Sequence, residues 1–159
     1  ADDAVSKEAL KVFSKQGLNI HLGTEVESLE LVENKVRMIL SNKELGDLEV
    51  DKVIFAVGRK PASEGLFDQN LGIELEDQGF VKVNEFCQTD VQNIYAIGDL
   101  VRGPMLAHKA SQEGIMVAEK IAGKNSSINY KNIPFVIYTH PEIAWAGYSE
   151  KSALKKLIP

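Results

Sequence analysis

The sequence predicts an α/β fold carrying an antiparallel β-meander. Three observations support this. Val53-Ile54-Phe55-Ala56-Val57 is an unbroken apolar run ending abruptly at Gly58, the pattern of a strand buried on both faces of a sheet. Residues 24–50 hold arms of mixed polarity separated by short polar turns, the pattern of half-exposed antiparallel strands. Residues 107–122 place small and apolar side chains at helical spacing before Gly123, which reads as a helix and its stop.

In chain order, Asp2 or Asp3 caps a first helix, whose Val5, Ala9, Val12 and Phe13 share one face before Gly17 ends it. Leu18 to Leu22 reads as a short strand. Thr24 to Val32 and Lys35 to Ser41 form a hairpin around Glu33-Asn34, and Leu45 to Val50 completes the meander. Residues 62–80 are irregular apart from a helical turn near Leu66 to Leu71. Phe80 to Val83 and Ile94 to Ile97 read as strands, the second of them buried. In the long helix, Ala110, Gly114, Val117, Ala118 and Ile121 make a small-residue face suited to close packing on a sheet. Asn125 to Asn132 is a polar linker. Phe135 to Tyr138 and Ile143 to Tyr148 are strands, and a helix follows from Ser149, with Ser152 the competing cap, to Leu157.

Composition narrows the functional classes. The 159 residues are 44% apolar and 26% charged, as in ordinary globular domains. A net charge of −5 without a Lys/Arg stripe argues against a nucleic-acid surface. No apolar stretch approaches the ~20 residues of a membrane helix, and the acidic Ala1-Asp2-Asp3 start has no signal-peptide pattern. A single cysteine, Cys87, excludes a disulfide framework within the chain. No metal site is expected. The chain starts without Met at a helix cap and ends at Ile158-Pro159; the expectation is an internal piece of a longer protein.

The most informative stretch is Asn93-Ile94-Tyr95-Ala96-Ile97-Gly98-Asp99, followed by Gly103-Pro104-Met105-Leu106-Ala107-His108-Lys109-Ala110. It reads as a strand, a glycine, a carboxylate, a tight connection and a helix start. Glycine lets backbone approach a ligand closely. Aspartate accepts a hydrogen bond from a sugar-like hydroxyl. The helix start turns free N–H groups and a positive dipole end toward negative charge. A flavin nucleotide suits that order of parts.

Val57-Gly58-Arg59-Lys60-Pro61 and Tyr95-Ala96-Ile97-Gly98-Asp99 together resemble motifs of the two-dinucleotide flavoprotein disulfide reductases, the class I pyridine nucleotide-disulfide oxidoreductases. Met105 to Ala110 and Tyr138-Thr139-His140-Pro141-Glu142-Ile143-Ala144-Trp145-Ala146-Gly147 resemble the dihydrolipoamide dehydrogenase branch. The resemblance implies partial FAD/NAD(P)-binding Rossmann-like domains plus the start of an α+β dimerisation domain. Residues 1–60 would be the C-terminal half of the NAD domain, 61–130 the returning segment of the FAD domain, and 131–159 the opening of the dimer interface. It implies an NAD-dependent enzyme that reoxidises dihydrolipoyl groups through a protein disulfide and FAD. Its partners would be a second copy and the lipoyl domains of 2-oxo acid dehydrogenase or glycine cleavage complexes. Its location would be the bacterial cytoplasm or the mitochondrial matrix.

By the same resemblance, Asp99, Met105, Leu106, Ala107 and His108 would contact FAD, while Val26 and Gly58 would contact NAD. His108 would act through its backbone and a packed ring. Arg59 is expected in a surface ion pair, Cys87 as a semi-buried thiol, and Tyr138 and Trp145 in packing. No catalytic residue is expected in this chain. It has no Gly-x-Gly-x-x-Gly loop and no Cys-x4-Cys pair, and His140-Pro141-Glu142 lies in the segment that opens the interface domain, away from the family's catalytic His-Glu base. Three alternatives stay open: another pyridine nucleotide-disulfide reductase, a soluble transhydrogenase, or a non-catalytic nucleotide-binding module.

Overall fold

The computed structural model describes residues 1–156. These form two compact units, one from Asp3 to Val57 and the other from Gly58 onward together with Ala1 and Asp2.

The first unit opens with α1 (Asp3–Lys15), which has Asp3 in its first turn and Lys15 in its last, both favourable to the helix dipole. Ala9, Val12 and Phe13 are half-buried along the predicted face, while Val5 is exposed, and Gly17 at φ 95° ends the helix. Three antiparallel strands follow in the order β1 (Val26–Val32), β2 (Lys35–Leu40) and β3 (Leu48–Val50). The turn is the expected Glu33-Asn34, with Val32 opposite Lys35. The β1–β2 register slips between Val26 and Ser28, so Glu27 is the extra residue of a bulge. Arg37 faces Glu30 on one neighbouring strand and Glu49 on the other, with Nη2 2.8 Å from Glu49 Oε1. The third arm is shorter than expected because the turn after β2 carries Leu45 and Gly46 in backbone bonds to Asn42 and Lys43, and pairing starts at Leu48.

Two predicted strands of this unit are not strands. Leu18 to Leu22 is exposed and irregular, and Val53 to Val57 is irregular and unpaired. Ile54, Phe55 and Val57 are 89%, 70% and 95% exposed. An apolar run encodes burial, whereas a strand needs a neighbour for its N–H and C=O groups. No described segment pairs with either run.

In the second unit the core is Val81, Ala96 and Val101, with Phe67, Ile73, Val83 and Leu100 packed around them. It is built largely from turns. A 3-10 turn at Gln69–Leu71 falls where a helical turn was expected. The predicted strands Phe80–Val83 and Ile94–Ile97 shrink to single bridges, Leu75 with Val81 and Gln88 with Tyr95. Backbone bonds from Val81 to Leu100 and from Ala96 to Cys87 hold these extended segments. Ala96 is buried as predicted, but Ile97 is more than a third exposed.

The long helix α2 (Ala107–Ile121) stops before Gly123 at φ 75°. Its buried residues are Lys109, Glu113 and Met116, not the predicted small-residue face. Ala118 and Ile121 are exposed, while Ala110 and Gly114 do pack against Gly98 and Ile97. Beyond it, β4 (Phe135–Ile137) and β5 (Ile143–Trp145) pair antiparallel, with the Phe135 and Trp145 rings stacked 5.1 Å apart. In α3 (Glu150–Lys155), Ser149 wins the cap by accepting from the Ser152 N–H. The predicted end of that helix at Leu157 lies outside the described residues.

Candidate functional site

The site is a turn laid against the start of a helix. Gly98 opens a 3-10 turn, Gly98–Leu100, after the extended Ile97. Its φ of 71° is left-handed, and a Cβ there would stand 3.1 Å from Ala110 Cβ. Only glycine meets both conditions without strain. The sequence suggests a glycine here for ligand approach; what the structure shows at this position is the close approach of α2.

Both polar groups of Gly98 are taken by α2. The Gly98 N–H donates to Glu113 Oε2 at 2.7 Å, and Lys109 Nζ donates to the Gly98 carbonyl at 2.9 Å. That carbonyl also accepts from the Val101 N–H. Lys109 and Glu113 are one helical turn apart, 3.1 Å from each other, and each is fully buried. Tyr130 completes the cluster by donating to Glu113 Oε1 at 3.0 Å.

Asp99 follows directly. Its side chain is 42% exposed, and Oδ2 accepts from Arg59 Nη1 at 2.9 Å. Arg59 is therefore an ion-pair partner, as expected, and it joins the Gly58-Arg59 motif to the Gly98-Asp99 motif. Met105 and Leu106 are half-buried and lead into Ala107 at the start of α2. Leu106 occupies the cap position in an extended conformation, and no side chain caps the helix. The first-turn N–H groups of a 15-residue helix thus lack the usual Ser, Thr, Asp or Asn acceptor. A negatively charged ligand oxygen fills that role well.

His108 sits in the first turn of α2 with Nε2 2.6 Å from the Pro134 carbonyl. A carbonyl only accepts, so Nε2 carries the proton. The ring is committed to this contact beside a cleft of about 370 Å³, which Gln112, Asn129 and Ile133 also line. Val26 starts β1 in the first unit and Gly58 opens the second. Gly58 takes φ 144° with nothing within 4 Å of a Cβ, an open stretch of backbone.

Cys87 is buried, with Sγ 3.9 Å from the Tyr130 hydroxyl. Burial first, and then the negative charge of Glu113, push its thiol pKa up. Reactive thiols sit in the opposite electrostatic setting. Among the described residues no cluster of three His, Cys, Asp or Glu side chains is placed to hold a metal ion.

Sequence reasoning missed Lys109, Glu113 and Tyr130. The one available signal was the i,i+4 spacing of Lys109 and Glu113, which ordinarily marks a solvated surface pair.

Comparison with known proteins gives a consistent picture. The family described as "Pyridine nucleotide-disulphide oxidoreductase" matches residues 1–114. A dihydrolipoyl dehydrogenase of Cupriavidus necator is 46% identical over 152 residues, covering 94% of this chain and 32% of that protein. The mitochondrial dihydrolipoyl dehydrogenase of Homo sapiens is 42% identical over 154 residues, with coverage of 94% and 30%. The chain spans about a third of the length of these relatives. Among solved structures, the HOCl-induced flavoprotein disulfide reductase RclA from Escherichia coli superposes with a TM-score of 0.85 at 25% identity, over 97% of this chain and 35% of that one.

Proposed function

This chain belongs to the pyridine nucleotide-disulphide oxidoreductase family, and on that premise we propose that it forms part of a dihydrolipoamide dehydrogenase using FAD and NAD. The observation that carries this reading is the Gly98-Asp99 turn held against the uncapped start of α2, in a chain 46% identical to a dihydrolipoyl dehydrogenase. In an enzyme of the relatives' length, residues 1–60 would close the NAD domain, 61–130 would return to the FAD domain and 131–159 would open the interface between two copies. Lipoyl domains of 2-oxo acid dehydrogenase or glycine cleavage complexes would bring the substrate. The setting would be a bacterial cytoplasm or a mitochondrial matrix; the relatives include a bacterial protein and one named mitochondrial. Among the described residues no helix is long and apolar enough to cross a membrane.

FAD, when bound, supplies the two-electron chemistry. The residues present fit it. The half-exposed Asp99 carboxylate would accept from a hydroxyl of the ribityl chain or the adjoining phosphate-linked portion. Met105, Leu106, Ala107 and His108 would line the flavin with backbone at the start of α2, where the helix dipole would stabilise negative charge on the cofactor by about 0.3–2 kcal/mol. Val26 would pack beside the adenine of NAD, and the open backbone at Gly58 would let the cofactor approach. The chain supplies no cysteine pair and neither glycine-rich pyrophosphate loop, so in this reading the catalytic thiols belong to other segments and residues 1–159 alone do not turn over.

The test is steady-state turnover of the complete polypeptide containing this chain. Reduction of NAD⁺ by dihydrolipoamide supports the proposal. Inactivity with dihydrolipoamide, alongside reduction of a different disulfide or hydride exchange between nicotinamide nucleotides, replaces it with one of the alternative enzymes.

A further inference from the structure

A buried ion pair is expensive to desolvate, and apolar residues of similar size often serve stability as well or better. Lys109 carries a second cost: its ammonium lies in the first turn of α2, where the helix dipole disfavours a cation. The pair is nevertheless completely enclosed. What it does there is specific. Its two members grip the two polar groups of one peptide residue, Gly98, and Tyr130 fixes the second oxygen of Glu113. Both members of the ion pair thus bond Gly98, and the next residue is Asp99.

We propose that Lys109 and Glu113, braced by Tyr130, are positioning residues for the flavin. They set the direction of the Gly98–Asp99 peptide and so aim the Asp99 carboxylate. Neither touches the cofactor; both act through Gly98. The inference rests on the reading that Asp99 contacts FAD. Gly98 is buried, so water does not replace a lost side-chain acceptor. Its φ of 71° lies where only glycine moves freely, so a turn released from the clamp has other conformations to adopt.

The test compares two double variants of the complete flavoprotein, stripped of flavin and titrated with FAD at a temperature where far-UV circular dichroism shows both folded. Lys109→Met/Glu113→Gln removes the buried charges but keeps an acceptor for the Gly98 N–H. Lys109→Met/Glu113→Leu removes the acceptor as well. Both should bind FAD more weakly than wild type because both release the Gly98 carbonyl from Lys109, and the second about tenfold or more below the first because it also strands the Gly98 N–H. A purely structural role would lower thermal stability in both while leaving FAD affinity equal between the folded variants, and that equality overturns the proposal. Should the second variant not fold, Tyr130→Phe takes its place. This change removes only the brace on Glu113 and should weaken FAD about two- to fivefold; unchanged affinity overturns the proposal. Asp99→Ala serves as the control. If it weakens FAD while the Gln and Leu variants bind alike, only the positioning role is wrong. If it leaves FAD binding intact, the flavin reading itself is wrong.

Discussion

Arg59 donates to the Asp99 carboxylate at 2.9 Å across 40 residues of sequence. The pair joins two motifs that the sequence shows only as separate words. Both side chains are substantially exposed, so solvent screens the attraction. Arg59→Ala should change the unfolding free energy by no more than ~1 kcal/mol, measured by urea denaturation. A loss well above that would mean the pair is a structural staple.

The enclosed pair behaves oppositely. Glu113→Ala strands the Lys109 ammonium without its partner and should cost about 3–5 kcal/mol. The same urea titration reads this out; a cost below that of Arg59→Ala would contradict the burial described above.

Gly98→Ala meets two obstacles at once, a left-handed φ of 71° and an Ala110 Cβ at 3.1 Å. It should destabilise by about 1–3 kcal/mol. Gly123→Ala has the first obstacle only, at φ 75° with open space around it, and should cost less. Equal costs would remove the case for close packing between the turn and α2.

Cys87 and Tyr130 make stability depend on alkaline pH. Burial is the main cause of the upward shift in each, with Glu113 adding to both, while Lys109 and Tyr130 pull the Cys87 thiol back. A group whose pKa is higher folded than unfolded adds stability below its unfolded pKa and loses it as pH rises toward the folded one. Their ordinary values are 9.0 and 10.0, so the thermal midpoint should fall as pH rises beyond about 9. Cys87→Ala should flatten that decline near its start. An unchanged slope would remove Cys87 as a contributor.

Local rules made much of this fold legible. The β1–β2 hairpin announced itself because its turn and its two arms are contiguous in sequence. The same holds for the Ser149 cap and the glycine stop at Gly123. Leu18–Leu22 and Val53–Val57 were misread because apolar character states that a segment is to be covered without stating by what. The buried face of α2 was misread for a different reason. Lys and Glu are normally solvated unless paired, and the pairing of Lys109 with Glu113 gains its full value only from Gly98, eleven and fifteen residues away. Of the candidate site, the order glycine, carboxylate, helix start was readable. The clamp that holds those parts together was not.

Flavin stoichiometry of the Asp99→Ala variant in the complete protein bears most directly on the proposed role of the Gly98-Asp99 turn. Visible absorbance against protein concentration should show well under one FAD per chain, with NAD binding largely intact. One FAD retained on every chain, as tightly as in wild type, would refute it.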